Sequence, residues 1–284
     1  TLYAKGQPIN LHFGNGYFPM FGRPWLRNRV SIDHRCEISE RMDAETLAAS
    51  FTPETEYARA HRAVDRLAAR KPEYPPEYGS KIPDPPFPGP HEDIALIRWY
   101  RQIMFVKDAD PKGPNYFVLR DAFGGTPEKP TDLSLWFLAT EMERKGNVFH
   151  YAGQCEVDMD VFVAEPREFE PETGEFQHRQ QPYVRYTGFD PKYHPGGKRQ
   201  ERQLFLRIAQ PPGKGYLVVL YPRLKEGDPA ARFTRLAPNA VKVETPLSTD
   251  YVFMNPYRFQ IDAEGIAFDG LAGAVRRYKD GRVT

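Results

Sequence analysis

The chain has 284 residues and a net charge of +1, from 39 basic and 38 acidic side chains. That balance provides no global basic field to attract nucleic acid, and no apolar run approaches the length needed to span a bilayer. With 40% hydrophobic residues the chain is not disordered, while 28 prolines, 22 glycines and 13% aromatics favour strands joined by many turns.

Residues 1–35 read as two short strands around a loop rich in glycine, aromatics and arginine, HFGNGYFPMFGRPWLRNRVSIDHR. Thr1 is not a natural start, so an upstream segment is expected and the absent signal peptide carries no information on compartment. A helical pattern follows. Thr52 suits an N-cap and Pro53 the first helical position. Tyr57, Ala60, His61, Val64, Leu67 and Ala68 then recur at helical spacing, predicting an amphipathic helix that ends near Arg70, with His61 as a packed structural histidine. Residues 71–92 are proline-dense and read as an ordered loop or linker of polyproline character. Helix and loop together, at about 43–92, read as an insertion between sheet segments.

From Ile94 onward strand follows strand: IALIRWYRQIMFVK, NYFVLRDAF, DLSLWFLAT, VDMDVFVA, RQLFLRIA and YLVVLYP. Val157, Met159, Val161 and Val163 alternate with Asp158, Asp160 and Phe162, which predicts one buried face. Asp158 and Asp160 are read as a solvated face, with Ca²⁺ binding as the alternative. Nothing resembles an alternating β-α-β series. The fold class is therefore all-β, a large antiparallel β-sandwich with an inserted helix and Pro-rich loop. Cys36 and Cys155 are read as two free, buried thiols, with a single disulfide as the alternative. The polar loop at 192–198 and the pair His150-Tyr151 are further places where a ligand would meet side chains.

The run LYAKGQPINLHFGNGYFP…RPWLRNRVSID resembles the start of the β-sandwich domain of heparinase II/III-like polysaccharide lyases. Leu2–Ile9 matches the family's first strand, Gly14–Tyr17 its glycine turn and Trp25–Asp33 its Trp/His-Asn-x-x-x-Asp segment. NYFVLRDAF and FDGLAGAVRRYKDGRVT look like later strands and hairpins of that domain. The resemblance implies a supersandwich preceded in the full protein by an α/α-toroid, with an anionic polysaccharide or oligosaccharide as partner. It also implies a homodimer and a periplasmic or secreted location.

Such an enzyme cleaves a uronic-acid glycosidic bond by β-elimination. The uronate carboxylate must be neutralised, a base must take the C5 proton, and an acid must protonate the leaving oxygen. The dense loop supplies suitable groups. Tyr17 and His12 are nominated as catalytic, and Arg23, Trp25, Arg27, Asn28 and His34 as substrate-binding. A divalent metal, zinc or calcium, is implied for members with a His before the Asn. Here Arg27 occupies that place and cannot be a ligand because it stays protonated, so no cofactor is assigned, although His12 remains a candidate donor. The alternative is a non-catalytic carbohydrate-binding or structural sandwich in which Trp25, Tyr74, Tyr78 and Trp99 stack on sugar rings. A hydrolase accessory domain is a third reading, lacking a legible acid pair.

Overall fold

The computed structural model describes residues 2–10, 24–38, 44–69, 90–111, 113–177 and 202–284. The strands are β1 (Leu2–Ala4), β2 (Gln7–Asn10), β3 (Arg29–Ile32), β4 (Glu45–Phe51), β5 (Thr55–Ala68), β6 (His91–Val106), β7 (Tyr116–Gly125), β8 (Thr131–Lys145), β9 (Val148–Gly153) and β10 (Val157–Glu165). They continue with β11 (Pro171–Gln177), β12 (Arg202–Gln210), β13 (Tyr216–Leu224), β14 (Arg232–Ala237), β15 (Ala240–Glu244), β16 (Ser248–Ala263) and β17 (Ile266–Tyr278). Among the described residues the only helical piece is a 3-10 turn at Pro24–Leu26.

Eleven strands form one antiparallel sheet in the order β11-β12-β8-β9-β10-β13-β7-β6-β5-β4, with β3 added to the start of β8. This sheet folds over itself. Leu133, Leu135 and Phe137 of β8 and Leu204, Leu206 and Ile208 of β12 pack on Val157, Met159, Val161 and Val163 of β10 and on Tyr216, Val218 and Leu220 of β13. The alternate residues of the middle strands face the other way. Phe162, Ala164, Leu217, Val219 and Val118 pack against Val241, Val243, Val252 and Met254 of a four-stranded sheet, β14-β15-β16-β17. Three layers with two cores result, which makes the molecule the all-β antiparallel sandwich expected from its strand pattern.

Being in the middle layer explains β10. The sequence predicts one buried face, yet eight of its nine residues are buried, because the outer sheet covers the second face. Asp158 and Asp160 are accordingly not a solvated face. They are buried and charge-paired, Asp160 with Arg223 at 2.9 Å and Asp158 with Lys225 at 2.7 Å, while His150 Nδ1 lies 2.7 Å from Asp160. Buried carboxylates demand such partners.

The inserted helix is the larger correction. Residues 55–68 are the strand β5, hydrogen-bonded to β4 on one side and β6 on the other. Its alanines suit a helix, but β6 pairs with it along most of its length and β4 with residues 56–61, and tertiary context overrides propensity. The apparent N-cap has a use of its own. Thr55 N–H donates to Thr52 Oγ1 at 2.9 Å, and Thr52 N–H donates to Thr55 O at 2.8 Å, which closes the β4–β5 hairpin. A threonine hydroxyl accepts from an amide three residues on in both settings. His61 stacks on Tyr100 with centroids 5.8 Å apart. The proline-dense stretch lies mostly outside the described residues. Both cysteines are free thiols; Cys155 is buried, and desolvation pushes its thiol up to about 12.

Buried tyrosines give the fold a defined alkaline limit. Desolvation pushes Tyr221 up to about 12 and drives Tyr116, Tyr151 and Tyr216 upward as well. A phenol whose folded pKa is raised binds its proton more tightly in the native state. Its contribution to stability is complete below the unfolded value near 10 and is lost as pH rises from there through the folded value. Absorbance at the phenolate band should therefore show these tyrosines titrating only with unfolding, above about pH 10. Titration of all the tyrosines in a folded protein near their ordinary value would contradict the burial.

Candidate functional site

The segment singled out by the sequence is residues 11–23, and with it His12, Tyr17 and Arg23 lie outside the described residues. What is described is how the chain is fastened on either side of it. Strand β8 is flanked by β3 along 131–134 and by β9 from 139 onward, which leaves its edge open at Trp136. Side chains fill that gap. Asn28 Oδ1 accepts from Trp136 N–H at 2.6 Å, and Asn28 Nδ2 donates to Trp136 O at 3.3 Å, so one amide extends the ladder past the end of β3. Asn10 Nδ2 donates to the same carbonyl at 2.9 Å and to Gln203 Oε1 at 3.3 Å. The Trp136 indole donates to Trp25 O at 2.7 Å. The described residues on either side of 11–23 are thus fastened to the main chain and ring of Trp136.

This geometry gives Asn28 an organising role. Replacing it with Ala should strand the Trp136 N–H and cost about 1–3 kcal/mol, read as a lower urea midpoint. A stability unchanged within error would mean that water takes over the ladder.

Next to this anchor lies a basic-aromatic cluster. Arg101 Nη1 donates to Asn28 O at 2.7 Å, and its Nε and Nη2 hold both oxygens of Asp121 at 2.8 Å. Trp99 Nε1 donates to the same Asp121 at 2.7 Å. The Arg29 and Arg101 guanidiniums lie 5.0 and 5.3 Å from the Trp99 ring centroid, within cation–π range. Glu37 binds Arg29 at 2.5 Å and Arg62 at 3.3 Å. Arg29 and Arg62 thus share Glu37, and Arg101 holds Asp121. Burial lowers the Arg29 pKa, and Glu37 opposes the shift. Sequence reasoning missed Trp99 and Arg101 as a pair with Asp121. The signal was present as two arginines and a tryptophan at Arg98–Arg101, inside an otherwise apolar strand.

The remaining nominated residues are placed as follows. Trp25 is buried at 5% exposure against Leu26, Trp136 and Phe205. It is not an exposed stacking platform, because the short helical turn folds its ring onto the edge of β8. Its ring neighbour is His34, stacked with centroids 4.7 Å apart and an interplanar angle of 25°. His34 Nδ1 lies 3.5 Å from Asp132, in a turn where Asp33 and His34 both adopt positive φ. Arg27 is half-buried beside Asn28. Trp99 is half-buried, and Tyr74 and Tyr78 lie outside the described residues. Among the described residues no three His, Cys, Asp or Glu side chains converge on a point where a metal would sit. Arg27 adds no donor, and His12, the candidate donor, lies outside the described residues.

No family model matches the chain, and no curated sequence matches it. Among solved structures the chain is similar to a heparinase III, the BT4657 gene product with methylated lysines. There the TM-score is 0.50 at 12% identity, over 89% of this chain and 30% of that one. It is also similar to the heparan sulfate lyase HepC from Pedobacter heparinus, with a TM-score of 0.48 and 10% identity over 78% and 29% of the two chains. The chain spans about 30% of the length of the heparinase III it matches. At such identity the likeness is one of fold.

Proposed function

We propose that this chain is the β-sandwich part of a polysaccharide lyase that cleaves a uronic-acid-containing glycan by β-elimination, and that it forms one wall of the substrate cleft. In this reading a helical toroid completes the site, and the protein works in the periplasm or outside the cell. Among the described residues no helix is long and apolar enough to cross a membrane. The observation that carries the reading is the pair of fastened flanks: the described residues on both sides of the Gly-aromatic-Arg stretch are tied to Trp136, next to Trp99 and the arginines Arg29 and Arg101. The shared fold with a heparinase III supports it.

The division of labour follows from the chemistry. Arg23 and Arg27 pair with the uronate carboxylate and lower the cost of carbanion character at C5. His12 removes the C5 proton. Tyr17 delivers a proton to the leaving glycosidic oxygen as the C4–O bond breaks and the C4–C5 double bond forms. Arg101 is a positioning residue, committed to Asp121, that holds Asn28 in place, and Arg29, committed to Glu37, flanks it on the Trp99 ring.

The test is the ultraviolet absorbance of the unsaturated uronate product when the full-length protein meets heparan sulfate, hyaluronan, chondroitin and alginate. A rise with at least one polymer supports the lyase. Binding without any rise would support the non-catalytic carbohydrate-binding sandwich instead.

A further inference from the structure

Strand β6 carries a second group of residues on its other face. Trp99 and Arg101 point toward the site above, so the alternate residues Arg98, Tyr100 and Gln102 lie on the opposite side of the sheet. There β16 packs against β6. The pairing of β16 with β17 shifts register between Met254 and Phe259, and irregularities of this kind re-aim side chains. Two side chains tie the shifted segment down. Gln102 Nε2 donates to Asn255 O at 3.0 Å, and Arg59 Nη1 donates to Pro256 O at 2.9 Å. Tyr257 is thereby laid edge-on against Tyr100, with centroids 5.6 Å apart, and Tyr100 stacks in turn on His61 at 5.8 Å. Gly124 of β7 makes room for this. A Cβ there would lie 2.7 Å from the Tyr257 hydroxyl, 3.3 Å from the Tyr100 ring and 3.9 Å from Arg98 Cβ.

Two cations here lack a counter-charge. Among the described residues neither Arg98 nor Arg59 has a carboxylate within ion-pair reach, and Arg59 Nε is buried without a hydrogen-bond partner. Arg98 is exposed. Both arginines bear on Tyr257: its bond with Tyr100 and burial raise the phenol above its ordinary value, while Arg98 and Arg59 pull the other way. The flanking charges are matched. Arg258 holds both oxygens of Asp269 at 2.6 and 2.9 Å, and His61 Nδ1 lies 3.6 Å from Glu45. Tyr257 itself is 55% exposed. An open aromatic ring beside arginines free of carboxylates suits a ligand that is itself a ring bearing an anion.

We propose that this face is a second binding surface for an acidic glycan, on which the Tyr257 ring meets the C–H face of one sugar and Arg98, backed by Arg59, holds its carboxylate or sulfate. The anion and the ring are read from this face alone; that they belong to a glycan rests on the function proposed above. The balanced charge of the whole chain, +1, gives nucleic acid no comparable attraction. A polymer long enough to engage this face and the cleft together gains affinity through linkage, whereas a short oligosaccharide occupies one place at a time.

The experiment is the mobility of the full-length protein in native gels cast with alginate, heparan sulfate or neutral dextran, at several polymer concentrations. Alginate carries carboxylates alone and heparan sulfate carries sulfates as well, so the pair tells which acid group the face takes. Retardation by at least one acidic polymer is expected, and none by dextran. Arg98→Gln should weaken the apparent affinity about tenfold, the worth of a charge-assisted hydrogen bond. Tyr257→Ala should weaken it too, as should Gly124→Ala, whose methyl pushes the ring off the sheet. Arg98 and Tyr257 are exposed, so the first two variants should keep the wild-type urea midpoint, and elimination from short oligosaccharides should be unchanged. The proposal is overturned if no acidic polymer retards the protein, if dextran retards it equally, or if Arg98→Gln and Tyr257→Ala both migrate as the wild type. Competition by single-stranded DNA as strong as that of the acidic polymers would overturn it as well. A wild type that eliminates nothing would strike the lyase reading and leave this binding test standing.

Discussion

Asp250→Ala and Arg276→Met are each expected to lower unfolding stability by roughly 3–5 kcal/mol, the cost of leaving a buried charge without its partner. The two residues face each other across β16 and β17, and both are buried. Arg276 Nε and Nη2 donate to the two Asp250 oxygens at 2.8 and 2.6 Å. The Tyr116 hydroxyl donates to Asp250 Oδ2 at 2.9 Å. Arg276 also donates to Lys107 O and Pro114 O, at 2.9 and 3.0 Å, and approaches Asp108 at 3.3 Å. One guanidinium therefore ties the four-stranded sheet to the loop between β6 and β7, and one carboxylate ties it to β7 itself. Burial alone would lower the Arg276 pKa, but Asp250 more than reverses that and holds it above the ordinary value. The double variant Asp250→Leu with Arg276→Met should cost clearly less than the two single losses together, because no charge is then left alone. Urea unfolding of the set measures this. Additive losses, or single losses below about 1 kcal/mol, would show that water reaches the pair.

Tyr17→Phe should lower the elimination rate by about 10²–10⁴-fold, the usual worth of a positioned acid or base, and His12→Ala should do the same. Arg27→Ala should act differently. Arg27 holds the carboxylate in the ground state and offsets the charge that grows at C5, so its loss should raise KM and lower kcat together. None of the three should move the urea midpoint far, whereas Asn28→Ala should. That contrast separates chemistry from anchoring. Equal activity of Tyr17→Phe and wild type on a polymer the protein cleaves would remove Tyr17 from the proton transfer.

Much of the molecule is legible from local pattern. The strands from Ile94 onward follow from β-branched and aromatic runs between turns, and their antiparallel layering follows from the absence of helices between them. The segment 11–35 stands out by density alone, and Asn28 as an organiser is legible from its place in the motif. The role of Trp25 is not. Aromatic density looks the same whether a ring meets sugar or Phe205, and only the open edge of β8 pulls it inward. Trp99 and Arg101 show the converse: Arg101 reads as an ordinary strand residue and Trp99 only as a sugar-stacking candidate until Asp121 is brought across from β7.

The errors share a cause. Residues 55–68 carry helical spacing, yet β6, which lies beyond the proline-dense stretch, claims one edge of the backbone along most of its length. Asp158 and Asp160 look like a solvent face because alternation reports one buried side, and the cations that pair with them, Arg223 and Lys225, come from a distant part of the chain. Periodicity, turn chemistry and composition act within a few residues, so the chain alone settled the all-β class and the character of its first loop. Whether a face is covered, an edge left open or a charge partnered depends on contacts between distant strands, and only the packed layers decided the helix-to-strand exchange and the burial of Trp25.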